Sequence, residues 1–261
     1  MSRFRTGAVA ALALFYLLCL LLSQRGALEA LPMNLAFMPP SLAHPMGTDD
    51  LGRGMLEALA QGGRTSLVVA SLTACLALVL GAAVGLIAAL GPAALDDVLM
   101  RAADIVVSLP ALLFAILVAA LFGGSAVNLA LVLGLTRWPV IARLVRAEAL
   151  VLRETDFVRA SVSVGTPPIA LAVRHIIPHA SATALSATGI VFGGAILAES
   201  ALAYVGLGDP RFTSWGQLIA SGFAFVTHAW WMWAFPAAAL CGASALAGLA
   251  ADQPSDERST G

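Results

Sequence analysis

His175 and His179 stand four residues apart, the spacing that puts two imidazoles on one helical face, as a zinc pair requires. A metalloprotease would also need a glutamate base beside the first histidine. Here the run is His-Ile-Ile-Pro-His, with a proline distorting the turn. The pair therefore reads as interfacial, partner-facing histidines. Thr48-Asp49-Asp50 sets two carboxylates side by side behind a hydroxyl. Such a pair can do acid–base work or hold a cation. The same side chains also cap a helix by accepting its free amide protons, and a helix running towards Arg64 needs that cap. Capping and loop structure is the preferred reading. Glu199 and Arg137 lie in apolar runs. An arginine at membrane depth costs about 2.5–3.5 kcal/mol, so each should face a cavity, a partner or the interface. Glu199 stays open between lining a gate and capping or pairing near the surface. Arg137 is expected to snorkel to the inner headgroups. Every basic residue is arginine and none is lysine, which excludes a Walker A loop on this chain. No Gly-x-Ser-x-Gly elbow is present. No metal site and no cofactor are expected.

These residues sit in a chain that is 60% hydrophobic and 11% charged, with a mean hydropathy of +0.91. A soluble domain carries about a quarter charged residues. The apolar runs approach the length of a membrane-crossing helix rather than the ten-residue alternation of a barrel strand. The fold class is therefore an all-α integral membrane protein. A net charge of −1 leaves no nucleic-acid footprint. Cys19, Cys75 and Cys241 lie in separate apolar runs and read as small hydrophobes.

Six spans are expected: Gly7 to Leu22, Ser66 to Leu90, Ile105 to Phe122 with Pro110 in its first turns, Ala126 to about Ala142, Ala182 to Leu207, and Ala229 to Ala251. The first could also be a secretory signal peptide; a retained span is preferred. Gly81 and Gly85 form a small-xxx-small pair for close helix approach. Asp96, Asp97, Arg101 and Asp104 mark a short aqueous connection. Arg137-Trp138-Pro139 interrupts the fourth span, which Arg143, Arg146 and Glu148 carry on into water. Leu207 to Thr227 reads as a polar, Gly-rich loop. Trp230, Trp231 and Trp233 form an interfacial belt. Residues 1–65 thus make a first span and loop, 66–251 a five-helix domain with a loop at 153–180, and 252–261 a polar tail.

The stretch Arg153 to Ala180 is a charged insert between oily halves. Thr155 or Asp156 can start one short helix, Gly165 suits the left-handed position that ends it, and Thr166-Pro167 starts a second. Pro178 should end or kink that second helix. With the N-terminus inside, Arg3, Arg5, Arg101, Arg143, Arg146, Arg153, Arg159, Arg174 and Arg258 fall on the cytoplasmic side. Arg25, Arg53, Arg64 and Arg211 fall outside. This satisfies the positive-inside rule and puts both termini and the helix–Gly–helix insert in the cytoplasm.

That insert resembles the coupling loop of ATP-binding-cassette importer permeases. Ala160 and Ser161 occupy the two Ala positions of its Glu-Ala-Ala motif, Gly165 the Gly, and Arg174-His175-Ile176-Ile177-Pro178 its close. Arg159 stands where the family usually has Glu. His44-Pro45-Met46-Gly47-Thr48-Asp49-Asp50-Leu51-Gly52-Arg53-Gly54 is similar to the signature of the dipeptide/oligopeptide/nickel permeases, with Gly54 in place of Asp. Ile196 to Gly208 followed by Ser214-Trp215-Gly216 is similar to a third stretch of that family. The C-terminal segment from Leu246 departs from it.

The resemblance implies a type I importer subunit in a bacterial inner membrane. It would work with a second homologous permease, two ATP-binding subunits and an extracytoplasmic solute-binding protein, with peptides the first choice of solute and nickel the second. Arg159, Ala160, Ser161, Gly165, Arg174 and Pro178 would meet the ATPases. Thr48, Asp49, Asp50 and Glu199 would serve the extracytoplasmic loop and gate. The chain itself would not be catalytic. An ion-coupled secondary transporter is the rival reading, but no clear internal repeat supports it.

Overall fold

A computed structural model describes residues 2–23, 35–163, 165 and 167–251; the expected polar tail at 252–261, Arg25, and the cap at Thr166 lie outside them. The described chain is helical apart from its loops. Its long helices are α1 (Ser2–Ser23), α2 (Met55–Leu90), α5 (Ala126–Arg153), α8 (Ile177–Tyr204) and α10 (Trp231–Ala251). Five helical segments are long and apolar enough to cross a membrane, counting α8 together with the turn before it. A sixth is formed if α3 (Ala93–Ser108) and α4 (Ala111–Phe122) count as one span, which bends by 74° at the break between them.

The core pairing is α2 with α5. A Cβ on Gly81 would stand 2.7 Å from the Trp138 carbonyl, and one on Gly85 2.5 Å from the Ala142 carbonyl. Gly134 of α5 returns the approach against Leu76. The small-xxx-small pair is thus where α5 lies against α2, backbone to backbone. Residue numbers rise together along this contact, so the two helices are parallel. The chain must therefore recross between them, and only α3 and α4 are available to do so. α8 runs antiparallel to both, its Ala180, Ala184, Ala187 and Val191 forming one cluster with Ala77, Ile141 and Val145. α10 lies along α8, with Ala247 and Ala251 against Gly193 and Gly189. Leu12, Phe15 and Tyr16 of α1 pack on the cluster built from α2, α8 and Trp215.

Several expected boundaries move. The expected third span does not run straight from Ile105 to Phe122. Pro110 disfavours helical torsions at the residue before it, and Leu109 is extended at φ −82°, ψ 127°. The expected aqueous connection around Asp96 to Asp104 is helical instead. Asp96 pairs with Arg146 at 2.5 Å and Asp104 with Arg143 at 2.6 Å, which ties α3 to α5. Helix α5 is not interrupted at Pro139. A proline removes one backbone bond and crowds one carbonyl. Here Thr136, Pro139, Ile141 and Ala142 are all buried, and that packing holds the helix through the defect. Helix α2 begins at Met55, so the expected division at 65/66 falls inside a continuous helix.

Pro178 does not end a helix. The segment after α6 (Asp156–Ser163) and Gly165 is α7 (Pro168–Leu171), which passes through a widened turn at Ala172–Ile176 directly into α8. There Ile177 donates to Ala172, five residues back. The wider turn takes up the clash that the Pro178 ring would make with the carbonyl four residues earlier. The region read as a polar loop holds α9 (Trp215–Phe223). Its signal was in the sequence: Ser214 and Gln217 form a capping box, in which the Ser214 amide donates to the Gln217 side chain at 3.2 Å.

Candidate functional site

The charged hairpin is docked at one end of the bundle. Thr155 precedes α6, its carbonyl accepting from Val158 and Arg159 while its hydroxyl turns back to Leu152. Gly165 has φ +82°, the left-handed region that an L side chain rarely adopts. Val158, Leu171 and Ile176 are buried with Ala89, Ala149 and Leu152 at the ends of α2 and α5. Arg153 donates to the Ala89 carbonyl at the same junction. The hairpin is thus joined by side-chain packing to the ends of two core helices.

The outward face of the hairpin remains open. Arg159 is exposed and pairs with Glu154, so its charge is partly answered within the chain. Arg174 and Pro178 are exposed, and Ser161 donates to the Phe157 carbonyl at 3.0 Å. His175 and His179 flank Phe157, with ring centroids 5.7 and 6.3 Å away, and a His179 ring nitrogen meets the His175 carbonyl at 2.7 Å. Their geometry is aromatic packing and backbone bonding. Among the described residues no three His, Cys, Asp or Glu side chains gather as metal ligands would.

Thr48 and Asp49 do not cap α2. Thr48 is fully buried; its hydroxyl accepts from the Met38 amide at 2.8 Å and donates to the Leu35 carbonyl. Its own carbonyl accepts from the Trp231 indole at 3.0 Å. Asp49 closes the turn to Arg53 through bonds from the Leu51 and Arg53 amides and from the Arg53 guanidinium. The pair organises a tight loop, and the helix starts one turn later. Asp50 is half-buried beside it, on a small cleft shared with Leu51, Leu218 and Met232.

Glu199 sits at 2% exposure between α2, α8 and α9. It accepts from Ser66 at 2.8 Å and Ser200 at 3.3 Å, and Ser66 in turn accepts from the Trp215 amide. The Trp215 indole donates to the Leu59 carbonyl at 3.0 Å. Gly216 lies so close to α8 that a Cβ there would overlap the Ser200 carbonyl. These contacts lock α9 onto the bundle.

A further polar centre was missed from sequence. Asp209 is 4% exposed and takes bonds from the Arg211 amide and guanidinium and, at 3.1 Å, from the Ala126 amide that opens α5. The Arg211 guanidinium holds its carboxyl well below the usual carboxylate range, with the Arg211 and Ala126 amides adding to the effect against the opposing effect of burial. The Gln217 side chain bonds the Asp209 carbonyl. Gly124 backs onto the Leu207 and Gly208 carbonyls, where a Cβ would come within 2.5 Å. No local sequence signal marks it, because the helix start that it meets lies 83 residues away in the chain.

An apolar helical bundle with a packed, outwardly charged hairpin at one end is the architecture of a multi-pass membrane protein. Residues 81–252 match the family described as binding-protein-dependent transport system inner membrane component. This chain belongs to that family. A protein of Brucella suis biovar 1 named for a peptide transport system permease is 38% identical over 216 residues, covering 82% of this chain and 73% of its own. A second from the same organism, named as a peptide permease, is 35% identical, covering 82% of this chain and 70% of its own. A protein of Escherichia coli K12 named for a D,D-dipeptide transport system permease is 30% identical over 213 residues, covering 81% of this chain and 72% of its own. Family membership sets the ion-coupled carrier aside.

Proposed function

We propose that the chain imports peptides as one of two homologous permease subunits, coupled through α6 and Gly165 to two ATP-binding subunits. The observation that carries this reading is the hairpin: three buried apolar residues fix it to α2 and α5, while Arg159 and Arg174 stay exposed. Closure of the ATPases would push α6, and the packed junction would pass that push to the ends of the core helices. The path would then open on the hairpin side. A solute-binding protein would deliver its load at the opposite end, near the Asp49 loop and α9. Sidedness follows from the arginines: Arg143, Arg146, Arg153, Arg159 and Arg174 gather at the hairpin end, which we assign to the cytoplasm together with both termini. The relatives named for peptide transport support the choice of solute.

The test is a mild-detergent pull-down of the tagged chain with companions identified by mass spectrometry. Recovery of a second permease and Walker-motif ATPases, followed by ATP-dependent peptide uptake in liposomes, supports the reading. A chain that purifies alone and transports without ATP overturns it.

A further inference from the structure

The backbone that joins α6 to α8 is soft at two places. Gly165 turns at φ +82° with nothing within 4 Å of where a Cβ would stand, so no packing stiffens it there. Further on, the turn Ala172–Ile176 is widened, with Ile177 donating to Ala172 five residues back. Such turns are rare in helices and recur at functional sites. Pro178 follows and has no amide to close the next backbone bond. A push on α6 therefore reaches α8 firmly only where side chains bridge the turn.

Phe157 of α6 makes that bridge. Its ring stands 5.7 Å from His175, edge-on, and 6.3 Å from His179, between centroids. His175 lies in the widened turn and His179 in the first turn of α8, so one ring rests on both sides of the junction. The His179 ring nitrogen donates to the His175 carbonyl at 2.7 Å and ties the same two residues together. The next residue of α6, Val158, is buried in the cluster that holds Ile176 of the same turn. From there α8 runs for 28 residues, about 42 Å at helical rise. Near its far end lie Glu199, bonded to Ser66, and Ser200, whose carbonyl Gly216 of α9 approaches most closely. A helix gripped at its first turn by α6 thus leads to α9 at the opposite end of the bundle.

We propose that Phe157 is the positioning residue that couples the hairpin to α8: its ring, with His175 and His179, makes α6, the widened turn and α8 move as one body. This rests on the importer reading above. It adds a route through α8 to α9 beside the one through the ends of α2 and α5.

The test uses liposomes holding the full transporter with its companion subunits. Trialanine uptake and ATP hydrolysis are measured in the same vesicles, and recovery of the ATPases is measured on purification. Phe157→Ala should keep the ATPases bound and hydrolysis within about twofold of wild type, while peptide moved per ATP falls about tenfold. Phe157→Tyr keeps the ring and should restore that ratio. His175→Ala combined with His179→Ala should lower the ratio alike, and adding Phe157→Ala should not lower it further, because the three side chains act as one unit. A merely structural role, or a direct contact with the ATPases, would instead lower recovery and hydrolysis together with uptake. That result overturns the proposal, as does an unchanged ratio in Phe157→Ala or a failure of Phe157→Tyr to restore it. A wild-type complex that takes up no peptide with ATP overturns the importer reading and this proposal with it, and only that failure is visible without a variant.

Discussion

The hydroxyl of Ser66 on α2 donates to the carboxyl of Glu199 on α8 at 2.8 Å, with 133 residues of chain between them and both side chains sealed from solvent. Ser66 also accepts from the Trp215 amide, so one hydroxyl joins three helices. Removing it leaves a buried amide and part of a carboxyl without partners. Ser66→Ala should lower unfolding stability in detergent by about 1–3 kcal/mol. Glu199→Gln keeps an acceptor oxygen and should stay near wild type, whereas Glu199→Leu should lose as much as Ser66→Ala. Thermal unfolding of the three variants checks this order. Unchanged peptide uptake by Glu199→Gln would confine Glu199 to a structural role.

Gly165 has φ +82° and nothing within 4 Å of where a Cβ would stand. Valine there strains the backbone by about 1–2 kcal/mol without a side-chain clash. Gly165→Val should insert normally but lose co-purifying ATPases and ATP-driven uptake. Wild-type uptake by this variant would count against the coupling role.

Asp209 titrates below its ordinary value in the folded protein, because Arg211 and two amides favour its charged form. Its contribution to stability is therefore complete above the unfolded carboxylate pKa of about 3.9 and is lost as pH falls through the lower folded value. Asp209→Asn should be less stable than wild type at neutral pH. The gap should hold constant down to about pH 5 and narrow only on further acidification. Unfolding midpoints across that pH series decide it; a gap that closes already near neutrality would contradict the assignment.

Gly216 and Gly242 make a matched pair. A Cβ at Gly216 would overlap the Ser200 carbonyl, whereas one at Gly242 meets nothing within 4 Å. Gly216→Ala should cost about 1–3 kcal/mol through forced separation of α8 and α9. Gly242→Ala should be neutral or slightly stabilising, since alanine is the better helix former. Detergent thermal melts of both variants give the comparison.

What the sequence determined by itself is what depends on local chemistry. Hydropathy over runs of about twenty residues marks membrane helices because each such run must satisfy its own backbone bonds in lipid. Gly165 marks the hairpin turn because only glycine adopts its φ without strain. The quoted motifs around Gly47, Gly165 and Glu199 carried the family. The tertiary structure decided what depends on neighbours. Whether Pro139 breaks α5 turned on the burial of that stretch, and whether Pro178 ends a helix turned on room for a widened turn. Pro110 bent the third span, with Asp96 and Asp104 answered by arginines some forty to fifty residues on. Thr48 and Asp49 could as well have capped a helix; the folded loop gave their oxygens to Leu35, Met38 and Arg53 instead. Asp209 and Glu199 took roles only when distant helices brought Ala126 and Ser66 to them. A hydrogen bond is fixed by positions in space, and residues so far apart in the chain acquire those positions only by folding.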